Sequence, residues 1–292
     1  MIIHRACPIC QSKNIVGDAI DLYRSGPHIS RARCRDCGLV FANPMADKHD
    51  LVKYYNDYYE KEIYDSTDYK NLIKSEIEKI RKMSPSEIKQ KAPYFSIYKE
   101  AGKFLDVGCG LGLGLAYAHG LGFELYATEY DQGAIEYVEG KFPVKVFKGD
   151  LETAGFPDAY FDFVHISHVI EHVLDPKAYF REMHRVLKPG GTLAVGTPDM
   201  SSLLYRGYKW MKHLSLQVPL VIDGLEHTFI FPKDLLAKMG EEAGFEIKLH
   251  YSQGLGEKMG NLIRYIMPLR QKLSRLVQNL FQINQWMVAV KR

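Results

Sequence analysis

The sequence predicts an α/β chain, a mostly parallel sheet built from strand–helix units, with a small cysteine-bearing module ahead of it. Three observations carry this. From residue 101 onward short apolar runs alternate with stretches of helical apolar spacing, the pattern of repeated strand–helix–strand units. The first run, Lys103 to Val107, ends in glycines at 108, 110, 112 and 114, and a helical pattern follows through Leu115, Ala116 and Ala118. Four of the five cysteines stand in two C-x-x-C pairs before residue 38.

With 292 residues the chain has room for one large domain or two. Hydrophobic residues make up 46% and charged residues 25%, a balance that can bury a proper core in water. The 38 basic and 35 acidic side chains leave a net charge of +3, too even for a broad nucleic-acid footprint, so no nucleic-acid partner is expected. No apolar run approaches the ~20 residues of a membrane-spanning helix. The opening Met1-Ile-Ile-His-Arg-Ala runs into Cys7 without the apolar core of a signal peptide. A cytoplasmic location is therefore expected, where thiols stay reduced or bind metal.

Cys7-x-x-Cys10 and Cys34-x-x-Cys37 have the spacing of tetrahedral zinc, because each two-residue loop turns both thiolates toward one point. Ile15-Val16 and Ile29 to Arg33 read as short strands between the pairs, and Gly38 supplies the tight turn after the second. Residues 1–44 are read as a zinc ribbon that ends at Asn43-Pro44. Four protein ligands close such a site, so the zinc is expected to be structural. Redox thiols and unrelated surface cysteines are the competing readings. Arg24, Arg31, Arg33 and Arg35 lie nearby, but a metal standing in for a core explains the ribbon without nucleic acid.

Residues 45–100 are read as a helical connector or lid. Leu51 to Tyr59 is dense in tyrosine. Leu72, Ile73, Ile77, Ile80 and Met83 recur at helical spacing; Ser84-Pro85 stops that helix, and Ser86 is expected to cap the next turn. The tyrosines are read mainly as a packed helix face, some of them as cover for a ligand.

A strand, a glycine-rich turn and a helix let backbone approach a ligand at a helix N-terminus. A Cβ in the turn would hold the ligand away, and such turns often need positive φ. The dinucleotide fingerprint G-x-G-x-x-G fails, since its third glycine position holds Leu113, Leu115 or Tyr117 for each starting glycine. The pattern Asp106-x-Gly108-x-Gly110-x-Gly112 instead resembles the first motif of class I S-adenosylmethionine-dependent methyltransferases.

Downstream residues extend that resemblance over roughly residues 101–250. Phe123 to Thr128 reads as a second strand ending at Glu129, about twenty residues past the glycines, where an acid can accept hydrogen bonds from both ribose hydroxyls. Asp131 is the rival carboxylate. Val144 to Phe147 is a third strand, and Asp150 follows where the class places an acid that bonds the adenine amino group. Phe161 to Ser167 is the fourth strand, and Arg185-Val-Leu-Lys-Pro-Gly-Gly191 turns into a fifth, Thr192 to Gly196. The resemblance implies a Rossmann-like, seven-stranded, mostly parallel sheet with helices on both faces over residues 101–292, closed by an antiparallel strand at Gln285 to Val290. It implies S-adenosylmethionine as cofactor, held by Asp106, Gly108, Gly110, Gly112, Glu129, Asp150, Leu151 and His168.

Residues 168 to 172, His-Val-Ile-Glu-His, match the zinc-protease pattern H-x-x-E-H as bare text. Their place at the carboxyl end of a central strand, where open α/β sheets bind ligands, argues against a protease, as does the lack of an identifiable third ligand. Glu-His at this point resembles methyltransferases of small molecules, including quinone-biosynthesis and sugar-tailoring branches. In some quinone-type relatives a glutamate stands at the position of His168 and the cluster binds a divalent metal; the histidine here argues against one. His168, Glu171 and His172 are read as facing the substrate, with buttressing of the strand end as the competing role for Glu171 and His172.

Two insertions are expected to shape the acceptor side, residues 200–224 and 254–283. The first is rich in aromatic and apolar residues, among them Leu203, Tyr205, Tyr208 and Trp210. Between them, Leu225-Glu-His-Thr-Phe-Ile-Phe-Pro232 resembles a segment of zinc-ribbon methyltransferases acting on sugars, in which a glutamate and a histidine face the reacting substrate. This makes His227 the expected base, with Glu226 orienting it or acting in its place, and His172 a further catalytic candidate. Lys233 to Glu242 reads as a helix and Glu246 to Tyr251 as a strand. From Lys258 onward no acid occurs, and Leu262, Ile266, Leu269, Leu273, Leu276 and Leu280 repeat at helical spacing among basic residues. That segment is read as packing on the domain, with peripheral membrane contact as the competing reading.

The expected function is methyl transfer from S-adenosylmethionine to a small molecule, most of all a sugar or nucleotide sugar. Sugar carbon methyltransferases of this type often carry a further carboxyl-terminal domain that 292 residues leave no room for, so oxygen methylation is expected ahead of carbon. A lipid or quinone methyltransferase at the membrane surface and a non-catalytic zinc-ribbon interaction module are the alternatives.

Overall fold

The computed structural model describes residues 1–18, 31–47, 67–199, 228–254 and 282–292. The tyrosine-rich stretch 51–59, the insertion 201–224, the Glu226–His227 pair and the basic segment 258–280 lie outside the described residues.

The central element is a seven-stranded sheet. Its strands are β4 (Lys103–Val107), β5 (Glu124–Glu129), β6 (Val144–Lys148), β7 (Phe161–Ser167), β8 (Leu187–Pro198), β10 (Phe245–Gly254) and β11 (Gln282–Lys291). The spatial order is β6-β5-β4-β7-β8-β11-β10. β4, β5, β6, β7 and β8 run parallel, whereas β11 is antiparallel to both β8 and β10. Counted along the chain, the order is 3-2-1-4-5-7-6. The sheet reverses its winding between β4 and β7, and ligands of open α/β sheets bind at such a switch point, beyond the carboxyl ends of the strands.

Six helices are described: α1 (Thr67–Ile80), α2 (Pro85–Lys91), α3 (Leu113–Gly120), α4 (Gln132–Glu139), α5 (Pro176–Val186) and α6 (Lys233–Glu242). They cover both faces. Tyr179, Phe180 and Met183 of α5 and Leu236 and Met239 of α6 pack with Leu105, Val107, Val164 and Ile166. On the other face Ile77, Ile80, Ile88, Leu115 and Val138 pack with Phe104 and Phe163. Because successive strand residues point to opposite faces, each central strand is apolar on both sides, as a doubly covered parallel sheet requires. Among the described residues no helix is long and apolar enough to cross a membrane.

The connector helix ends differently from the expectation. Ser84, not Ser86, is the N-cap of α2: its hydroxyl accepts from Glu87 N, and the Glu87 carboxylate accepts from Ser84 N at 2.8 Å. Pro85 then sits at the first helical position, where its missing N–H costs nothing. The sequence Ser-Pro-x-Glu is therefore a capping box as well as a helix stop.

The ribbon strands β1 (Ile15–Asp18), β2 (Arg31–Cys34) and β3 (Val40–Ala42) form a second sheet that takes its fourth strand, β9 (Phe229–Ile230), from far along the chain. Val40 pairs with Ile230 and Phe41 with Phe229. Phe41, Phe229 and Phe231 are wholly buried in the core that also holds α5 and α6. The ribbon is thus tied to the segment that enters α6.

Candidate functional site

The carboxyl ends of β4, β5 and β7 converge at the switch point. The chain leaves β4 through Gly108, Gly110 and Gly112, at φ +66°, +50° and +84°, before α3 begins. A Cβ on Gly108 would stand 2.5 Å from Val169 Cγ2, just past the end of β7. Both the left-handed backbone and this contact demand glycine. Gly108→Ala is expected to weaken cofactor binding at least tenfold and to lower the melting temperature; calorimetric titration with S-adenosylmethionine and a thermal melt check both.

Glu129, at the tip of β5, faces this loop. Its Oε2 accepts from Gly110 N at 2.7 Å, and its Oε1 accepts from Tyr130 N at 2.7 Å and Asp131 N at 3.0 Å. Burial raises its pKa against the pull of these three N–H groups. The rival Asp131 is committed elsewhere: it caps α4, accepting from Ala134 N. Asp150, after β6, accepts from the Tyr130 hydroxyl at 2.8 Å and from Thr153 N at 2.8 Å. Leu151 beside it is wholly buried in the core. The chain thus brings Glu129 and the glycine loop into direct contact and links Glu129 to Asp150 through Tyr130.

Asp106 lies under the loop. Its Oδ1 is 2.6 Å from Nδ1 of His165, its register neighbour on β7. Both are buried, and the imidazole is boxed by Tyr94, Phe104 and Trp286. A Cβ on Gly114 would come within 2.5 Å of Asp106 Oδ2, so α3 approaches this pair as closely as a helix can. The sequence reading missed His165, which stands in an apolar run and reads there as one more strand residue.

His168, Glu171 and His172 follow β7. His168 Nδ1 lies 3.3 Å from Glu171 Oε1, and His172 Nε2 lies 4.0 Å from the same oxygen. Glu171 is fully buried, and its Oε2 accepts from Thr197 Oγ1 at 3.0 Å. His168 Nε2 is 3.2 Å from Asn284 Nδ2 on β11. Thr197 and Asn284 were also missed; nothing local marks either, since each acts across the sheet.

The four cysteines come together at the ribbon. Their sulfurs all lie within 4.8 Å of one another, with Cys7 to Cys37 at 3.6 Å and Cys10 to Cys34 at 3.5 Å. Tetrahedral zinc with ~2.3 Å bonds to sulfur puts its ligands ~3.8 Å apart, so this cluster fits the ion. The contact between the Cys7 and Cys37 sulfurs pushes the Cys7 pKa down and that of Cys37 up. Among the described residues it is the one group of three or more His, Cys, Asp or Glu side chains gathered tightly enough to hold a metal. A groove of about 730 Å³ runs between the ribbon and the start of α5, lined by Arg5, Ile9, Leu174, Lys177 and Phe229 among others, and by none of the glycine-loop residues.

Residues 105–195 match the methyltransferase domain family. A protein of Mycobacterium tuberculosis named "Probable S-adenosylmethionine-dependent methyltransferase" is 36% identical over 96 residues, 32% of this chain and 35% of that protein. A Geobacillus protein named demethylmenaquinone methyltransferase is 28% identical over 166 residues, 49% of this chain and 70% of that one. The chain thus spans about a third of the mycobacterial relative's length. Among solved structures, a SAM-dependent methyltransferase from Thermotoga maritima shares the fold at a TM-score of 0.53 and 18% identity, over 83% of this chain and 100% of that one.

Proposed function

From the class I S-adenosylmethionine-dependent methyltransferase domain that this chain carries, we propose that the protein moves a methyl group from S-adenosylmethionine to a small-molecule acceptor, a sugar or nucleotide sugar, at oxygen ahead of carbon. The observation that carries the cofactor half of this reading is the contact between Glu129 and Gly110 N at adjoining strand ends. A partly buried carboxylate at the tip of β5 accepts from the ribose there, while Asp150 takes the adenine end and the glycine loop lets the remainder approach backbone N–H groups. The cofactor, once bound, supplies a methyl already activated on a sulfonium. The remaining tasks fall to the protein: to align the acceptor with that methyl and to remove a proton from it.

The acceptor half rests on the ribbon. Its strand β3 pairs with Phe229 and Ile230 of β9, the residues that follow the expected Glu226–His227 base in the sequence. Structural zinc at Cys7, Cys10, Cys34 and Cys37 would hold that pairing. A second reading, a quinone or lipid acceptor, draws support from the Geobacillus relative's name and from the basic stretch after residue 258.

The test is transfer of labelled methyl from S-adenosylmethionine into source-cell extract separated into polar small molecules, lipids and macromolecules. Label in the polar fraction is expected. Label confined to lipid replaces the sugar with the second reading. Label on macromolecules, or none with no cofactor bound, removes the proposal.

A further inference from the structure

His168 holds a backbone conformation that L residues rarely adopt, φ +57°. Its N–H donates to Gly196 O at 2.9 Å, fixing the residue across from β8. Strain of this kind persists where surrounding structure enforces it, and such places are often functional. The residue is at the end of β7, and its neighbour Val169 is the side chain that crowds Gly108. His168 thus stands next in the chain to a side chain that packs on the cofactor loop, and its own side chain is 48% exposed.

Its partners decide the tautomer. Nδ1 lies 3.3 Å from Glu171 Oε1, an ion-pair distance, and a carboxylate there favours the tautomer with its proton on Nδ1. An amide nitrogen can only donate, so Nε2, facing Asn284 Nδ2 at 3.2 Å, offers its lone pair. Glu171 is itself held by Thr197. A buried carboxylate beside one nitrogen of a histidine, with an unprotonated second nitrogen on a half-exposed side chain, is the arrangement of an oriented general base.

We infer that His168, positioned by Glu171, is the base that takes the acceptor proton, a role the sequence assigns to His227. The inference rests on the methyl-transfer reading above. An acceptor hydroxyl displaces the Asn284 amide from Nε2. As its oxygen bonds the methyl carbon, the S–CH3 bond breaks, the sulfonium becomes a neutral thioether, and the hydroxyl proton passes to Nε2. The imidazolium returns that proton to water. Partial burial works against the charged ring, but the nearby Glu171 carboxylate outweighs it, and the pKa is raised. Glu171 is the charged group acting on the ring among the described residues, and His172 shares its Oε1.

The experiment measures methyl transfer from labelled S-adenosylmethionine into the polar fraction of source-cell extract, as a function of pH, for the full-length wild type, His168→Asn, Glu171→Gln and His227→Ala. Asparagine tolerates the left-handed backbone but takes up no proton near neutral pH. At saturating S-adenosylmethionine, His168→Asn is expected to lose about 100-fold in rate, together with the acidic limb of the pH profile. Glu171→Gln is expected to keep that limb but move it to lower pH, because the charge that raises the pKa is gone. A purely structural glutamate would leave the limb where it is. In His227→Ala the limb is expected to persist whatever the rate. His168→Asn retaining a third of the wild-type rate overturns the assignment, as does a limb that vanishes in His227→Ala and survives in His168→Asn. A wild type that binds cofactor and labels nothing removes the functional reading and this assignment with it.

Discussion

Glu129→Ala is expected to weaken S-adenosylmethionine binding by two orders of magnitude or more while the chain stays folded. The carboxylate has two tasks that alanine cannot do. It accepts from Gly110 N, Tyr130 N and Asp131 N, and so holds the glycine loop against the tip of β5. It also has a lone-pair site left on Oε2 for a ribose hydroxyl. A hydrogen bond to a charged acceptor contributes about 1.5–3 kcal/mol, up to roughly a hundredfold in affinity, and release of the glycine loop adds to that loss. Glu129→Gln discriminates between the tasks: its amide can place one oxygen toward the N–H groups but loses the charge, and an intermediate loss is expected. Asp131→Ala should leave affinity nearly intact and cost about 1 kcal/mol of stability, the value of a helix cap. The pH dependence follows from burial. Because Glu129's pKa is raised, it protonates at a higher pH than a free glutamate, and affinity is expected to fall as acidification passes through that raised value. Calorimetric titration of the three variants at several pH values tests all of this. Full affinity in Glu129→Ala sinks the assignment.

The strands of the central sheet were legible because they are short apolar runs bounded by glycine or polar residues, and the runs are covered on both faces. Lys103–Val107 and Phe161–Ser167 appear where the sequence puts them. What the sequence did not disclose acts at long range. β9 is two residues long, and its pairing with β3 has no local periodicity to announce it. The Asp106–His165 contact joins residues 59 apart, and His168–Asn284 joins residues 116 apart; both depend on strand register, which follows only from the assembled sheet. Ser84 is a different case. Its capping box was readable, but Pro85 drew attention as a helix breaker when the same ring also favours the first position of the next helix. The four cysteines were the easiest feature, since two-residue spacing constrains each pair locally and the structure only had to bring two pairs together.

Removing metal from those cysteines is expected to abolish methyl transfer while leaving S-adenosylmethionine affinity within a fewfold of its starting value. Zinc would be the closing element of a sheet too small for its own core: β1, β2 and β3 hold four, four and three residues. Metal binding to such a module is largely folding free energy. When the ion leaves, the thiolates repel one another and the knuckles open. Cys7, Cys34, Leu39 and Phe41 then lose their packing against Phe229 and Phe231, with which they share one buried cluster. The register Val40–Ile230 and Phe41–Phe229 goes with them, and the entry to α6 loses its partner strand. Glu171 is reached as well, because its carbonyl accepts from Phe229 N at 3.0 Å, so the support of His168 loosens from the same side. The cofactor residues are buffered from all of this. Asp106, Gly108, Gly110, Glu129 and Asp150 sit on β4, β5 and β6 and the turns after them, none of which belongs to the ribbon sheet. Metal analysis should find one zinc per chain. Cys34→Ser, or treatment with a strong chelator, should lower the melting temperature by ~10 °C or more and remove zinc and turnover together. Cofactor titration of the same samples at a temperature well below the transition should remain close to wild type. Loss of cofactor binding in step with zinc would show that the ribbon supports the whole sheet rather than the acceptor side alone, and turnover unchanged without zinc would detach the ribbon from catalysis altogether.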